Sequence, residues 1–240
     1  MRYLATISYD GSKFYGFQRL NNEKSIQDEI EKSLSKLNKN FVEIKGSGRT
    51  DRGVHARGQK IHFDLDINIS PERLINAVNS LLSPYIRFID CKFVKDDFHA
   101  RFMVKEKTYR YVINMGKYDP IRQDYIYNYG YKLDFKSMKK ASKYLVGKHN
   151  FKVFVSGDRD NYNSEIFSVS FVKKNNYLEI NFKGKSFYRY MVRNMVGALI
   201  LVGRGKISIE DFAGMVDSNE SRYTYMTVPS NGLYLESVEY

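Results

Sequence analysis

One carboxylate, Asp51, lies between two arginines, Arg49 and Arg52, in the glycine-rich stretch 46–56. Glycine adopts backbone conformations that other residues resist, and it lets a ligand approach the main chain closely. Neighbouring guanidinium groups lower the pKa of a carboxyl group and keep it charged. An isolated Arg-Thr-Asp would be an ordinary surface turn with an ion pair. Glycines, arginines, a carboxylate and His55 together, between two strand-like segments, favour a functional site instead.

The residue types around Asp51 narrow the chemistry that it could perform. A P-loop needs Gly-Lys followed by Ser or Thr, and a dinucleotide-binding turn needs a third glycine, so neither motif is present. Asp51, His55 and His62 match no recognised metal-ligand spacing, so we expect no metal site. A charged carboxylate in a basic loop fits a nucleophile or electrostatic stabiliser at a sugar carbon. Glycoside hydrolysis needs a second carboxylate as general acid, so a reaction with one carboxylate is favoured.

Two aromatic stretches are candidates for contact with RNA. Tyr109 and Tyr111 share a face of a predicted strand, beside Lys107 and Arg110. One of the two tyrosines could stack on a base or accept a proton, and spacing does not say which. The stretch Lys13–Phe17 is faintly similar to an RNA-recognition strand motif. Because it follows the first strand, we interpret it as loop aromatics near RNA.

A predicted helix over 187–202 contains Arg189 and Arg193, which are four residues apart and therefore on one face. The rest of its circumference is mostly apolar, which predicts a buried helix. A buried arginine needs a carboxylate or phosphate partner. We therefore expect Asp51 to pair with Arg193, and a substrate phosphate to bind Arg189. A solvated stripe of two arginines is the alternative.

The composition indicates a polyanionic partner. Lys and Arg total 39 against 27 Asp and Glu, which gives a formal charge of +12. Such an excess favours nucleic acid or an anionic membrane surface as the partner. Tyr (20) and Phe (16) are abundant, and Trp is absent. Aromatic side chains among basic ones suit base stacking in single-stranded or looped RNA.

The sequence also bears on the cellular compartment. The amino terminus alternates like a strand and lacks the apolar core of a signal peptide. No apolar run approaches the roughly 20 residues that span a bilayer. We therefore expect a soluble, intracellular protein. The one cysteine, Cys91, excludes an intramolecular disulfide, and its strand-like apolar surroundings predict a buried thiol.

Hydrophobic periodicity predicts an α+β protein of two halves, 1–104 and 105–240, with a catalytic cleft between them. The first half has the order βαββαβ, a ferredoxin-like arrangement, with mostly antiparallel strands. Its strands are predicted at 2–10, 41–45, 59–66 and 86–94, and its helices begin at Ser25 and Ser70. The second half has strands at 107–115, 166–172, 177–182 and 233–240, and helices at 134–146, 187–202 and 208–216. Long loops that could grip a ligand are predicted at 11–24, 117–130, 156–164 and 217–232.

The stretch Gly48–Ala56 resembles the signature loop of the TruA-type tRNA pseudouridine synthases. Further similar stretches occur at the beginning, in the middle, in the late helix and at the end of the chain. They are Tyr9-Asp10-Gly11, Phe14–Gln18, Phe98–Phe102, Lys107–Tyr111, Met191–Gly197, Val202–Lys206 and Gly232–Leu235. Because the matches run the length of the chain, it is identified as a member of that family.

The resemblance implies a cofactor-free isomerase that converts uridines of the tRNA anticodon stem-loop, at positions 38–40, to pseudouridine. It also implies a cytoplasmic homodimer. Asp51 matches the catalytic aspartate, and Arg193 matches the arginine paired with it. Tyr109 matches the tyrosine that contacts the flipped base and moves a proton. Arg49 matches a residue associated with base extrusion, which costs about a few kcal/mol. The substrate-binding residues expected on this basis are Arg49, Tyr109, Arg52, His55 and Arg189.

Two stretches depart from the family pattern. His149–Phe154 differs from the usual His-Asp-Phe-small-small-Phe, and 222–231 lacks an alanine-proline-rich sequence. These departures leave the choice of tRNA and of uridines open. The rival interpretation is a non-enzymatic tRNA-binding protein or RNA chaperone on the same fold. Nucleotide-dependent phosphoryl transfer is a distant third.

Overall fold

The computed structural model describes residues 1–20 and 22–240. The chain forms two compact units, one of Met1–Lys105 with Tyr234–Tyr240 and the other of Glu106–Leu233. The domain boundary between residues 104 and 105 remains a prediction. The predicted loop 11–24 includes Asn21, which lies outside the described residues. None of the helices in the described part of the chain has the length and hydropathy needed to cross a bilayer.

The first unit is a mixed sheet with two helices. Its elements are β1 (Arg2–Tyr9), α1 (Ile26–Asn38), β2 (Lys45–Gly46), β3 (His55–Asp64), α2 (Pro71–Leu81), β4 (Ile86–Phe93) and the closing strand β10 (Leu233–Glu239). The strand order is β4-β1-β3-β10, with β2 beside β3. All pairs are antiparallel except β3 with β10. The predicted order βαββαβ is confirmed.

The helices of the first unit begin where the sequence predicts. The Asp28 amide donates to Ser25 Oγ at 3.2 Å, which caps α1. The inward face of α1 is buried through Ile26, Ile30 and Leu34. Ser70 caps α2 in the same manner, ahead of a proline at the first turn. Both helices therefore begin at the predicted serines, and α1 buries an apolar face.

The predicted strand over 41–45 is wrong in most of its length, since β2 contains only two residues. The Val42 amide donates to Ser35 Oγ at 2.9 Å, and the Ile44 amide donates to Glu31 Oε1 at 3.0 Å. Side chains of α1 thus satisfy main-chain groups that a neighbouring strand would otherwise bind. Val42 and Ile44 remain buried, which explains the strand-like alternation of the sequence.

The second unit is a mostly antiparallel sheet with helices. Its elements are β5 (Glu106–Asn114), β6 (Tyr127–Asn128), α3 (Phe135–Ala141), a 3₁₀ turn (Ser142–Leu145), β7 (Gly147–Asn150), β8 (Asn163–Lys174), β9 (Tyr177–Gly184), α4 (Met191–Gly203) and α5 (Ile209–Ser218). The strand order is β5-β9-β8-β7, with β6 parallel beside β5. The predicted strands at 166–172 and 177–182 are confirmed as parts of β8 and β9, which pair as an antiparallel hairpin. The α+β class with mostly antiparallel strands is confirmed as well.

The late helix α4 begins four residues after its predicted start at Phe187. Tyr190, which precedes it, has φ 62°, a left-handed conformation that ends any helical path from residues 187–189. Arg189 therefore lies outside the helix, and the prediction that it shares a helical face with Arg193 is wrong. From Met191 onward the helix is almost entirely buried, as its apolar circumference predicts.

Candidate active site

The loop that contains Asp51 is held by main-chain hydrogen bonds on both sides of this residue. The Phe17 amide donates to the Thr50 carbonyl at 3.0 Å, and the Val54 amide donates to the Asp51 carbonyl at 3.1 Å. Gly53 completes the turn with φ 80°. Asp51 itself is partly exposed. The carboxylate therefore projects from a backbone whose course is fixed immediately before and after it.

Two glycines near the start of the chain permit this close approach of the loop. A Cβ atom at Gly11 would lie 1.9 Å from the Val54 carbonyl oxygen. A Cβ atom at Gly16 would lie 3.1 Å from the Thr50 carbonyl oxygen, and Gly16 has φ 109°. Residues 11–17 thus support the Asp51 loop, a role that their sequence alone did not indicate.

The neighbouring aromatic residues divide into core and surface. Phe14 and Phe17 are buried, so the interpretation of 13–17 as loop aromatics near RNA is wrong for these two rings. Tyr15 is exposed, and the Arg52 guanidinium lies 4.2 Å from the centre of its ring. Arg49 is exposed as well. Both loop arginines therefore face solvent, where an anionic ligand can reach them.

His55 is buried at the start of β3, with 3% of its surface exposed. Its Nδ1 accepts a hydrogen bond from the Gly11 amide at 3.2 Å and lies 3.3 Å from Asp10 Oδ1. Its ring stacks on Tyr234 with centres 4.8 Å apart. These contacts are all with the protein itself. Its expected role in substrate binding remains a prediction.

In the second unit, Tyr109 and Tyr111 of β5 have different surroundings, although the sequence alone did not distinguish them. The Tyr111 hydroxyl donates to the Pro229 carbonyl at 2.7 Å, and burial raises its pKa well above the ordinary value. Tyr109 is buried with its ring edge-to-face against Phe187, at 5.1 Å between centres. The Tyr111 hydroxyl is therefore held by a main-chain partner, and contact of Tyr109 with a base remains a prediction.

Arg189 and Arg193 meet on the ring of Tyr190, although they do not share a helical face. Their guanidinium carbons lie 4.9 Å and 4.8 Å from the ring centre. Arg189 is exposed, and its Nη2 donates to the Tyr190 hydroxyl at 3.3 Å. Arg193 is partly buried, and its Nε donates to the Val228 carbonyl at 2.6 Å. The left-handed backbone of Tyr190 thus brings both guanidinium groups to one aromatic side chain.

A segment that we call the strap, Tyr225–Pro229, packs along α4 and was missed by the sequence analysis. Besides the bond to Arg193, the Thr227 hydroxyl donates to Asn194 Oδ1 at 2.6 Å. A Cβ atom at Gly197 would lie only 2.0 Å from the Met226 carbonyl oxygen. The strap lies within 222–231, which departs from the family pattern. The carbonyl groups of the strap accept these contacts whatever side chains the strap carries, so no motif within the strap indicated them.

Three further predictions concern metal binding, Cys91 and the pairing of Asp51 with Arg193. Within residues 1–20 and 22–240, no group of three or more His, Cys, Asp or Glu side chains could hold a metal ion. Cys91 is buried, as predicted, and burial raises the pKa of its thiol to about 12. The pairing of Asp51 with Arg193 joins residues of the two units and remains a prediction.

A family model described as tRNA pseudouridine synthase matches residues 5–103 and 141–240. A tRNA pseudouridine synthase A from Listeria monocytogenes is 42% identical over 245 residues, covering 100% of this chain and 99% of the relative. Proteins of the same name from Finegoldia magna and Streptococcus thermophilus are 39% and 38% identical, over at least 98% of each chain. Among solved structures, a chain of the Cbf5-Nop10-Gar1 complex has a TM-score of 0.37 and 8% identity, covering 82% of this chain and 45% of that chain. By the family model and these relatives, the chain belongs to the tRNA pseudouridine synthase family.

Proposed function

We propose that this protein isomerises uridines of the tRNA anticodon stem-loop to pseudouridine, with Asp51 as the catalytic carboxylate. The observation that carries the proposal is the Asp51 loop itself. Its backbone is bonded on both sides of a partly exposed carboxylate, and two exposed arginines flank it. Family membership supports tRNA uridine as the substrate. The anticodon stem-loop, as the part of the tRNA that is modified, is implied by the family resemblance of the Asp51 loop.

The reaction requires one carboxylate and no net change in atoms. The bond between N1 of uracil and the ribose carbon breaks, the base turns, and a bond from C5 of uracil to the same carbon forms. A proton leaves C5 and a proton is added at N1. Asp51 serves either by attacking the ribose carbon or by assisting formation of a glycal. Both routes use a charged carboxylate at the sugar, and neither needs a cofactor.

Tyr109 and Arg193 complete the proposed catalytic set. Tyr109 contacts the flipped base and transfers a proton, while the neighbouring Phe187 ring limits the positions open to it. Arg193 pairs with the carboxylate and keeps it ionised. Its Nε is bonded to the Val228 carbonyl, which orients the guanidinium plane. A planar, oriented guanidinium is well suited to a carboxylate partner.

Substrate binding is assigned to a larger, mostly basic set. Arg49 assists extrusion of the target base, while Arg52 and Arg189 bind phosphates from exposed positions. Phosphate contacts release counterions, so tRNA affinity should fall steeply with salt. His55 is assigned to the substrate-binding residues as well, because the resemblance to the pseudouridine synthase family implies this role. We further propose that the protein is a cytoplasmic homodimer.

The direct test is isomerisation of tRNA labelled in its uracil bases by the wild-type protein and by Asp51→Asn. The amide has the shape of the carboxylate but neither its charge nor its nucleophilicity, so pseudouridine should fall by at least about a thousandfold. Asp90→Asn, at an exposed position on β4, is the matched control and should remain active. Unchanged isomerisation by Asp51→Asn would refute the catalytic assignment. Salt-sensitive tRNA binding by the wild type without any pseudouridine would favour the RNA chaperone.

A further inference from the structure

Four polar side chains are buried beneath the Asp51 loop, although the proposed chemistry uses none of them. They are Tyr9, Ser47, Thr50 and Gln59, each exposed by 6% or less. The hydroxyl oxygens of Tyr9 and Thr50 lie 2.8 Å apart. Gln59 accepts from Ser47 Oγ at 2.5 Å and donates to the Gly48 carbonyl at 2.9 Å.

Burying these four polar side chains costs free energy. The benefit that offsets this cost is a defined geometry of the Asp51 loop. A buried polar group that loses its partner destabilises the fold, whereas a matched pair of apolar groups at the same place can be nearly neutral. A satisfied buried network instead favours one conformation over its neighbours. In this loop every named side chain of the network has a partner. The network therefore constrains the course of the loop more than it contributes to stability.

The contacts converge on the residue before Asp51. The Thr50 side chain is held by the Tyr9 hydroxyl, and the Thr50 carbonyl is held by the Phe17 amide at 3.0 Å. Gln59 fixes the loop two residues earlier, at Gly48. Burial raises the pKa of Tyr9, so its hydroxyl stays protonated and the contact persists at neutral pH. The direction in which the Asp51 side chain leaves the backbone is set by these neighbours.

We propose that Tyr9 is a positioning residue for the Asp51 carboxylate and acts through the hydroxyl of Thr50. This inference rests on the proposed catalytic role of Asp51. Small errors in the placement of a reacting group reduce rates strongly, by up to about a hundredfold for a displacement of about 1 Å. Loss of the hydroxyl pair should therefore lower kcat and leave tRNA affinity unchanged, because both side chains are almost fully buried.

Strand β1 provides a matched control in Tyr3. Tyr3 is also buried on β1, and its hydroxyl donates to the Ile69 carbonyl at 2.8 Å. Tyr3→Phe and Tyr9→Phe each remove one buried hydroxyl from the same strand, although the Tyr9 hydroxyl also contacts Gln59 besides Thr50. A general loss of stability should affect both variants alike. Only Tyr9→Phe removes a contact with the Asp51 loop.

The experiment measures single-turnover rate, tRNA dissociation constant and melting temperature for Tyr9→Phe, Thr50→Val, the double variant and Tyr3→Phe. We expect each of the first two to lower the rate by about tenfold or more, with dissociation constants within about twofold of wild type. The double variant should be no slower than Tyr9→Phe alone, because Tyr9→Phe already removes the contact that Thr50→Val removes. Thr50→Ser restores the hydroxyl and should recover most of the rate.

Several results would overturn the inference. They are a wild-type rate for Tyr9→Phe, an equal loss of rate in Tyr3→Phe, multiplicative effects in the double variant, or a loss confined to tRNA affinity. If Tyr9→Phe does not fold, the contrast of Thr50→Val with Thr50→Ser makes the same test. Asp51→Asn separates the two proposals. If it is inactive while Tyr9→Phe has the wild-type rate, only the positioning role fails; if it is active, the catalytic assignment itself fails.

Discussion

Asp51 and Arg193 are held in place by different parts of the protein chain. The Asp51 loop has side-chain support from Tyr9, Thr50 and Gln59 in addition to its main-chain hydrogen bonds. Arg193 is held by a main-chain carbonyl of the strap, and this carbonyl exists whatever side chain Val228 carries. The Asp51 loop should therefore be sensitive to the loss of single hydroxyl groups. The Arg193 region should be sensitive mainly to changes that displace the strap.

The largest expected effect comes from moving the strap with Gly197→Ala. The added Cβ would lie 2.0 Å from the Met226 carbonyl oxygen, and a main-chain atom cannot yield as a flexible side chain does. Overpacking of this kind costs about 3 kcal/mol of unfolding free energy. Denaturant unfolding measures that loss, and the displaced strap should also lower kcat.

Gly214→Ala is the control for that variant. Gly214 lies inside α5 with no atom within 4 Å of a built Cβ, so alanine should stabilise the protein by about 0.5–1 kcal/mol through helix propensity. If Gly197→Ala behaved like Gly214→Ala, in stability and in kcat, the strap would not be the rigid support described above.

The second-largest expected effect is a loss of folding stability of the first unit at acid pH. Burial, with the nearby charges of His99 and Arg2, lowers the pKa of His62 to about 4, and His62 Nδ1 accepts from the Ala100 amide at 3.1 Å. The unfolded histidine binds its proton near pH 6.5, so stability is complete above that pH and falls as the pH drops toward 4. The loss should be on the order of 2 kcal/mol.

Amide hydrogen exchange at pH 7 and pH 5 resolves this effect by region. Protection from exchange should be lower at pH 5 than at pH 7 in β3 and the strands beside it. His62→Gln should reduce this dependence of protection on pH. His149→Gln, at a partly exposed position of the second unit, is the control and should leave it unchanged. Equal acid sensitivity in His62→Gln and wild type would contradict the assignment to His62.

A smaller effect, on tRNA affinity, is expected from two arginines that lie over tyrosine rings. They are Arg52 over Tyr15 and Arg189 over Tyr190. Both are exposed, so each alanine variant should weaken tRNA binding by about tenfold and reduce the magnitude of the salt slope by about one. Arg52→Lys keeps the charge and should retain most of that slope. An unchanged slope in Arg189→Ala would remove Arg189 from the phosphate-binding set.

The smallest expected effect is that of Val228→Ala on catalysis. Val228 is fully buried, so its truncation should lower the melting temperature. Its carbonyl still accepts from Arg193, so kcat should stay within about twofold of wild type. A tenfold loss of kcat, of the size expected for Tyr9→Phe, would end the distinction between main-chain and side-chain support.

The distinction between side-chain and main-chain support also explains which parts of the fold and site could be predicted from the sequence. Caps at Ser25, Ser70 and Ser208 marked helix starts correctly, because a capping side chain is visible as a residue type. The Asp51 loop was recognisable for the same reason. The start of α4 was not, since a left-handed Tyr190 has no residue-type signature. The strap and the shortening of β2 depend on tertiary hydrogen bonds, which local patterns do not encode.

The most direct test of the central claim maps pseudouridines in tRNA from cells that lack this protein and are supplied with either wild type or Asp51→Asn. Wild type should restore pseudouridine in the anticodon stem-loop, and Asp51→Asn at equal abundance should restore none. Restoration by both variants would contradict the role of Asp51, and pseudouridine restored only outside that stem-loop would contradict the proposed substrate site.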